Sequence, residues 1–280
     1  MMKAALVQLS SGDDPAANLV VTRSLIDEAA SGGATLIQTP EVTNLLTPDP
    51  DRRAALVRPE SQDATLAALR QSAADHGVWL IIGSLSLRED RGDDQRLVNR
   101  SFLIDPAGEI VARYDKIHMF DVAISETETF SESTGFRPGD QAVVGQGDAP
   151  IGMSVCYDLR FPHLYRRLTH AGAEILSIPA AFNPTTGAAH WDVLLRARAI
   201  ENGAFVLAAA QCGVSPSPHT PNARPRRNYG HSTAVAPWGE VLVQMGDEPG
   251  VALVDLDLSR VAQARSQVPA WRHDPVIFGP

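Results

Sequence analysis

Short runs rich in Val, Ile and Leu recur along the whole chain, and many are separated by segments whose apolar residues return at helical spacing. This alternation constrains the fold most, because strand–helix–strand units need a sheet covered by helices. Strands are predicted at 3–9, 34–38, 78–86, 97–104, 110–114, 151–155, 174–178, 204–210, 231–236, 241–245 and 251–255. Helices are predicted at 16–31, 62–76, 162–171, 190–202 and 258–266. The first follows Asp13-Asp14-Pro15, a helix-start signal, and stops at Gly32-Gly33; the second stops at Gly77. Pro106-Ala107-Gly108 and Pro237-Trp238-Gly239 mark hairpins between consecutive strands. The expected architecture is a layered α/β fold with either one mixed sheet or two sheets packed together. No repeat, low-complexity tract or composition break divides the chain, so one domain over 1–280 is expected.

Several classes of function fall away on composition. The chain carries 24 Lys+Arg against 33 Asp+Glu, a net charge of −9, which argues against nucleic acid as a partner. No apolar run reaches the roughly 18 residues of a membrane span. The N-terminal stretch reads as a first strand rather than a signal peptide, so a cytoplasmic protein without membrane partners is expected. Two cysteines, Cys156 and Cys212, make no disulfide framework. No His/Cys/Asp spacing resembles a zinc site, and no glycine pattern resembles a phosphate cradle, so neither metal nor cofactor is expected. Two long segments, 117–141 and 212–230, lack regular periodicity and read as functional lids or surface loops. The second holds the basic run Arg224-Pro225-Arg226-Arg227, read as solvated loop, with a dimer contact or an anionic-substrate role as the alternatives.

Cys156 sits in Ser154-Val155-Cys156-Tyr157-Asp158-Leu159-Arg160-Phe161-Pro162, between the end of a strand and a helix opening at proline. Ligands of open α/β sheets bind at such strand ends. A free thiol is mostly protonated at neutral pH and needs a cation or a base to react. Lys116 and Glu41 each follow the end of another short apolar strand. If those strands are neighbours in one sheet, sulfur, ammonium and carboxylate meet on one rim. Separately, Cys156 reads as a small buried hydrophobe, and each charge as a solvated strand end.

The strings Pro40-Glu41, Tyr114-Asp115-Lys116-Ile117-His118-Met119-Phe120-Asp121 and Cys156-Tyr157-Asp158-Leu159-Arg160 resemble the three signature blocks of the nitrilase, or carbon–nitrogen hydrolase, superfamily. Further similarity lies in 181–191, 195–202, 208–213 and 229–239, so the likeness runs from about residue 3 to about 274. It is strongest to the branch of deaminated glutathione amidases and ω-amidases. The resemblance implies an α-β-β-α sandwich with mixed sheets, pairing as a homodimer or a larger homo-oligomer. It implies a cofactor-free amidohydrolase acting through a Cys thioester on a small carboxylate-bearing amide.

By this resemblance Cys156 is the nucleophile and Glu41 the general base, its pKa expected to be raised by burial. Lys116, with the backbone N–H of Tyr157, stabilises the oxyanion. A second carboxylate that orients the lysine is matched best by Glu132, with Glu126 and Glu128 nearby. Arg160 matches the position binding the substrate carboxylate, for which a guanidinium fork suits. Phe182 and Thr186 match positions lining the same pocket, while Cys212 is read as packing. A deaminated-glutathione-like substrate is the first expectation. The alternatives are an ω-amidase acting on α-ketoglutaramate or α-ketosuccinamate, another aliphatic amidase, a carbamoylase or a nitrilase. A Cys–His hydrolase using His118, His163, His190 or His231 and an inactive binding relative are the rivals outside the family.

Overall fold

The first strand shows how the core is divided. Ala4 and Leu6 point into one buried cluster, while Ala5 and Val7 point into another. The period of two puts an apolar layer on each face of the sheet, so both faces must be covered. The computed structural model describes residues 1–280 apart from 90, 91, 127, 223, 224, 277, 278 and 280. Arg224 of the basic run therefore lies outside the described residues.

In chain order the elements are β1 (Met2–Gln8), α1 (Pro15–Ser31), β2 (Leu36–Gln38), α2 (Pro50–Leu56), α3 (Ala64–His76), β3 (Trp79–Leu87), β4 (Val98–Ile104), β5 (Ile110–Asp115), β6 (Asp121–Ser125), β7 (Glu128–Ser131), β8 (Val144–Gln146), β9 (Pro150–Met153), α4 (Pro162–His170), β10 (Ile175–Ser177), α5 (Pro184–Asn202), β11 (Phe205–Ala208), β12 (Cys212–Val214), β13 (Arg227–Tyr229), β14 (Thr233–Val235), β15 (Val241–Gln244), β16 (Gly250–Leu256) and α6 (Ser259–Gln267). Two six-stranded mixed sheets form, with orders β16-β1-β2-β3-β4-β5 and β15-β14-β11-β10-β9-β8. One cluster joins the first sheet to α1 and α3. The other joins the inner faces of both sheets and the outer face of the second to α4 and α5. The layers thus run helix, sheet, sheet, helix. No helix among the described residues is long and apolar enough to cross a membrane.

Local signals set the element ends. The Asp14 side chain accepts hydrogen bonds from the Ala16 and Ala17 amides and Pro15 opens α1, satisfying donors the helix leaves free. Asn183 and Pro184 start α5 in the same way, six residues before the predicted start at 190. Thr185, Thr186 and Gly187 are poor helix formers and hide this first turn from periodicity. Helix α2 opens with an Asp49 cap and Pro50, but it is short and buries no residue fully, so no apolar stripe marks it. The two irregular segments are partly regular: 117–141 contains the β6–β7 hairpin and 212–230 contains β12 and β13. Their strands are three to five residues long, and β6 and β7 bury no residue fully.

Buried glutamines bind the two sheets together near the strand ends. Gln38 Nε2 donates to Ser177 Oγ at 2.7 Å, and its Oε1 accepts from the Ala209 amide at 3.1 Å. Gln211 Nε2 donates to the Glu41 carbonyl at 2.9 Å. These amides, buried with their partners, fix the register of one sheet over the other.

Candidate active site

Three segments bring reactive groups to the seam between the sheets. Glu41 follows β2, Lys116 follows β5, and Cys156 follows β9. The first two come from one sheet and Cys156 from the other, so they converge across the sandwich rather than along the rim of a single sheet.

Each segment is pinned by its neighbours. The Thr39–Glu41 bend lies directly on Gly83 of β3, where a Cβ would sit 2.1 Å from the Thr39 oxygen and 2.4 Å from the Pro40 oxygen. Only glycine permits that approach. The next residue, Val42, has φ +48°, a strained value for a β-branched side chain, held by its amide bonding Ser84 Oγ at 2.8 Å. The Lys116 amide donates to the Asn99 carbonyl at 2.9 Å. Cys156 has φ +52° and donates its amide to the Pro179 carbonyl at 2.8 Å, which turns its side chain sharply off the strand. Two residues on, the fully buried Asp158 carboxylate accepts from Val155 N at 2.8 Å, Tyr114 Oη at 2.7 Å and His118 N at 3.0 Å. His118 Nδ1 lies 2.6 Å from the same group. Asp158 therefore ties the lysine segment to the cysteine segment.

The side chains form one network. Lys116 Nζ donates to Glu41 Oε1 at 3.0 Å and to both Glu132 oxygens at 2.9 and 2.8 Å. Glu41 also accepts from Asn99 Nδ2 at 2.9 Å and from the Ala181 amide at 2.8 Å, and the Cys156 thiol lies near enough for each group to shift the other's titration. Glu132 accepts from the Phe120 amide at 2.7 Å. Lys116, Glu41 and Cys156 are only 2%, 4% and 7% exposed, so their charges interact with little screening.

Burial alone would raise the Glu41 pKa. The Lys116 ammonium and the hydrogen bonds from Cys156, Lys116 and Ala181 outweigh it and hold the carboxyl below the usual range. The expected raised value is thus reversed, because a buried ammonium faces the carboxylate. Burial lowers Lys116, but Glu132 and Glu41 carry it well above the ordinary ammonium value. Burial and the Glu41 carboxylate push the Cys156 thiol well up, against Lys116. The resting site is a carboxylate, an ammonium and a neutral thiol. A carboxylate and an ammonium both stand near the thiol.

A cavity of about 750 Å³ opens on this network. Glu41, Lys116, Glu132, Cys156, Tyr157, Phe182 and Thr186 all line it. Arg160 does not: its guanidinium sits 5.8 Å over the Tyr157 ring and 5.4 Å over the Phe182 ring, with Nη1 3.2 Å from His190 Nδ1. It backs these aromatic walls from outside the cavity. Of the neighbouring acids, Glu128 lines the cavity but accepts from Asn183 Nδ2 at 2.7 Å, and exposed Glu126 does not line it. None of the four candidate histidines lines the cavity. His118 is bound to Asp158 and stacked on Phe161, and His231 Nδ1 meets the Tyr229 carbonyl, so the Cys–His arrangement is not formed. Cys212 is fully buried, burial pushes its thiol up to about 12, and it lies outside the cavity lining. No cluster of metal-binding side chains occurs among the described residues.

Sequence reasoning missed Asn99, the Ala181 amide, Arg53 and the aromatic pair Phe120 and Phe130, all in the cavity wall. Asn99 carried a readable signal, a polar amide inside the apolar β4 run. The Ala181 contact is made by backbone, which no side-chain pattern reveals.

The family profile described as carbon-nitrogen hydrolase matches residues 3–266. The deaminated glutathione amidase of Bos taurus is 38% identical over 98% of this chain and 83% of its own length. The crystal structure of the C. elegans NitFhit protein superposes with a TM-score of 0.86 at 32% identity over 98% of this chain, which spans 65% of that protein. A mutant of the amidase from Nesterenkonia sp. AN1, solved with acrylamide added to its active-site cysteine, is 30% identical with a TM-score of 0.75. That match covers 96% of this chain and 98% of the other.

Proposed function

The chain belongs to the carbon-nitrogen hydrolase family, and on that premise we propose that it hydrolyses a small carboxylate-bearing amide of the deaminated glutathione type, with Cys156 as nucleophile. One observation carries the residue assignment: Glu41, Lys116 and Cys156 line a single cavity, with Glu41 accepting a hydrogen bond from Lys116.

The chemistry follows from the resting charges. Cys156 Sγ attacks the amide carbonyl as its proton passes to Glu41. The tetrahedral oxyanion is met by Lys116 and the Tyr157 N–H. Glu41 then gives its proton to the leaving nitrogen, the C–N bond breaks, and a thioester remains on Cys156. Water attacks the thioester and gives a proton to Glu41. Collapse of the second tetrahedral species releases the carboxylic acid, and the proton returns from Glu41 to sulfur. Glu132 acts through Lys116, holding the ammonium against the reacting carbonyl. Phe182 and Thr186 shape the pocket. No step asks for a cofactor.

The same reading has the chain act as one domain in a cytoplasmic homodimer or larger homo-oligomer, for which sedimentation velocity is the direct test. The substrate test is amine or ammonia release across a panel of carboxylate-bearing amides, ω-amides, carbamoyl compounds and nitriles. Deaminated glutathione is expected to give the highest kcat/KM, and Cys156→Ala to give no turnover. Comparable rates on nitriles, or turnover by the alanine variant, would overturn the proposal.

A further inference from the structure

In the cycle above every proton passes through Glu41, and the two oxygens of that carboxylate are not equivalent. Oε1 accepts from Lys116 Nζ at 3.0 Å and from Asn99 Nδ2 at 2.9 Å. Oε2 accepts from the Ala181 amide at 2.8 Å. A carboxylate oxygen offers two lone pairs, so the described residues fill Oε1 and leave one position open on Oε2. The Ala181 amide also stands near enough to Cys156 to favour its thiolate, which puts the sulfur on the Oε2 side.

Asn99 is an unusual residue to find where it is. It lies in β4 among buried Val98, Phe102, Leu103 and Ile104, and is itself 2% exposed. An amide in such a strand runs against strand preference. Its carbonyl accepts from the Lys116 amide at 2.9 Å, and its side chain lines the cavity. One strand residue thus holds the lysine segment through backbone and the carboxylate through its side chain. Only half of that side chain is satisfied: Oδ1 is buried and meets no hydrogen-bond partner among the described residues. Turning the amide over would set Oδ1 against the Glu41 carboxylate and lose the existing bond. The amide is therefore held for its donor, at the expense of its acceptor.

Lys116 could not orient Glu41 by itself. Its ammonium is shared with both Glu132 oxygens, at 2.9 and 2.8 Å, and it ends a flexible four-carbon stem. Asn99 reaches Glu41 on a short side chain from a paired strand, opposite Ser86 of β3. Ala181 reaches it by backbone. These two rigid donors, one on each oxygen, fix the plane of the carboxylate.

We propose that Asn99 is a positioning residue for Glu41, sharing Oε1 with Lys116 so that the carboxylate takes and gives its proton through Oε2 alone. This deepens the amidase reading and rests on its assignment of Glu41 as the base.

Two variants and one chemical probe test it. Asn99→Leu removes the donor at nearly constant volume. It is expected to lower kcat about tenfold to 100-fold, the effect of a misplaced reacting group. KM should stay within about twofold, because substrate binding is not what the amide serves. Asn99→Asp puts an acceptor where the donor stood. The charged groups it faces are Glu41 and, across Glu41 Oε1, Lys116. A carboxyl beside Glu41 keeps its proton to higher pH than usual, and when protonated it can donate to Oε1. The kcat of this variant should therefore rise as pH falls from about 8 to about 5, where the wild type is flat. The probe is alkylation of Cys156 by iodoacetamide at neutral pH: the sulfur–carbon bond forms, iodide leaves and the thiol proton passes to Glu41. Asn99→Leu is expected to slow it about tenfold or more, and to have no further effect in a Glu41→Gln background. A wild-type kcat in Asn99→Leu, a raised KM at unchanged kcat, or a flat pH profile in Asn99→Asp would overturn the proposal. The underlying reading fails separately, if Glu41→Gln alone leaves both turnover and alkylation at wild-type rates.

Discussion

Lys116 is buried between two carboxylates, so the charge proposed to act in catalysis is also a structural one. Lys116→Met leaves Glu41 and Glu132 facing each other without a cation. The expected cost is about 3–5 kcal/mol of stability, because breaking a buried pair strands its partner. Loss of the oxyanion contact is expected to lower kcat by about 100-fold to 1,000-fold. Thermal melts read the first effect, and rates taken well below the variant's melting temperature read the second. The pKa directions give a further expectation. Glu41 lies below its ordinary 4.5, so its stabilising charge is complete above that value and is lost only as pH falls through the lower folded value. Lys116 lies above its ordinary 10.5, so its contribution is complete below that value and is lost as pH rises through the higher folded value. Between these limits the ion pair is constant, and kcat/KM should show no acid limb near pH 4.5 from Glu41. The Cys156 thiol lies well above its ordinary 9.0, so its alkylation rate should show no sigmoidal midpoint below pH 9.0. A midpoint nearer neutrality would mean a pre-formed thiolate and would set aside concerted proton transfer to Glu41.

At the level of elements, the site depends on close backbone approaches more than on side-chain identity. Gly83→Ala would drive a methyl into the Thr39 and Pro40 carbonyls and displace the Glu41 bend. Backbone cannot yield as a side-chain tip can, so a loss of about 1–3 kcal/mol is expected, together with a fall in kcat. Chemical denaturation and steady-state rates check the two parts. Asn183 caps α5 and also donates to Glu128 at the end of the β6–β7 hairpin. Asn183→Ala is expected to cost about 1 kcal/mol through the lost cap. It should also raise KM by loosening the hairpin that carries Phe130 and leads into Glu132, as substrate titration would show. The long strands and the capped helices α1 and α3 were legible in sequence because periodicity and end signals agree there. The β6–β7 hairpin was not, because its alternation runs over only five and four residues and rests on Val122, Ile124 and Phe130 alone. The chemistry-bearing types Glu41, Lys116 and Cys156 could be picked out by their places after strands. Gly83 and the Ala181 amide could not be assigned, because their importance comes from contacts between segments far apart in the chain.

For the whole molecule, the layered architecture was readable from the strand–helix alternation, whereas the division into two sheets was readable only from the signature blocks and the α-β-β-α sandwich their resemblance implied. Strand pairing is non-local, and either one mixed sheet or two packed sheets satisfies the same pattern. The consequence for the site is large: Glu41 and Lys116 stand on one sheet and Cys156 on the other, joined by Gln38, Gln211 and Ser177. Gln38→Leu fills the space but leaves the Ser177 hydroxyl and the Ala209 amide without their buried partner. A loss of about 1–3 kcal/mol is expected, measured by urea denaturation. The outward-facing Val193 and Ile200 of α5 and Trp238 are 68%, 55% and 58% exposed. If the protein assembles there, Val193→Asp should shift the sedimentation coefficient toward the monomer without touching a cavity residue.

Housing the acid–base pair and the sulfur in opposite halves makes turnover a gauge of how the halves are aligned. A slip far too small to register as lost helix or strand would already part the thiol from its proton acceptor. On gentle warming or in dilute urea, hydrolysis is therefore expected to fade ahead of the circular dichroism signal, and to return in full on cooling or dilution.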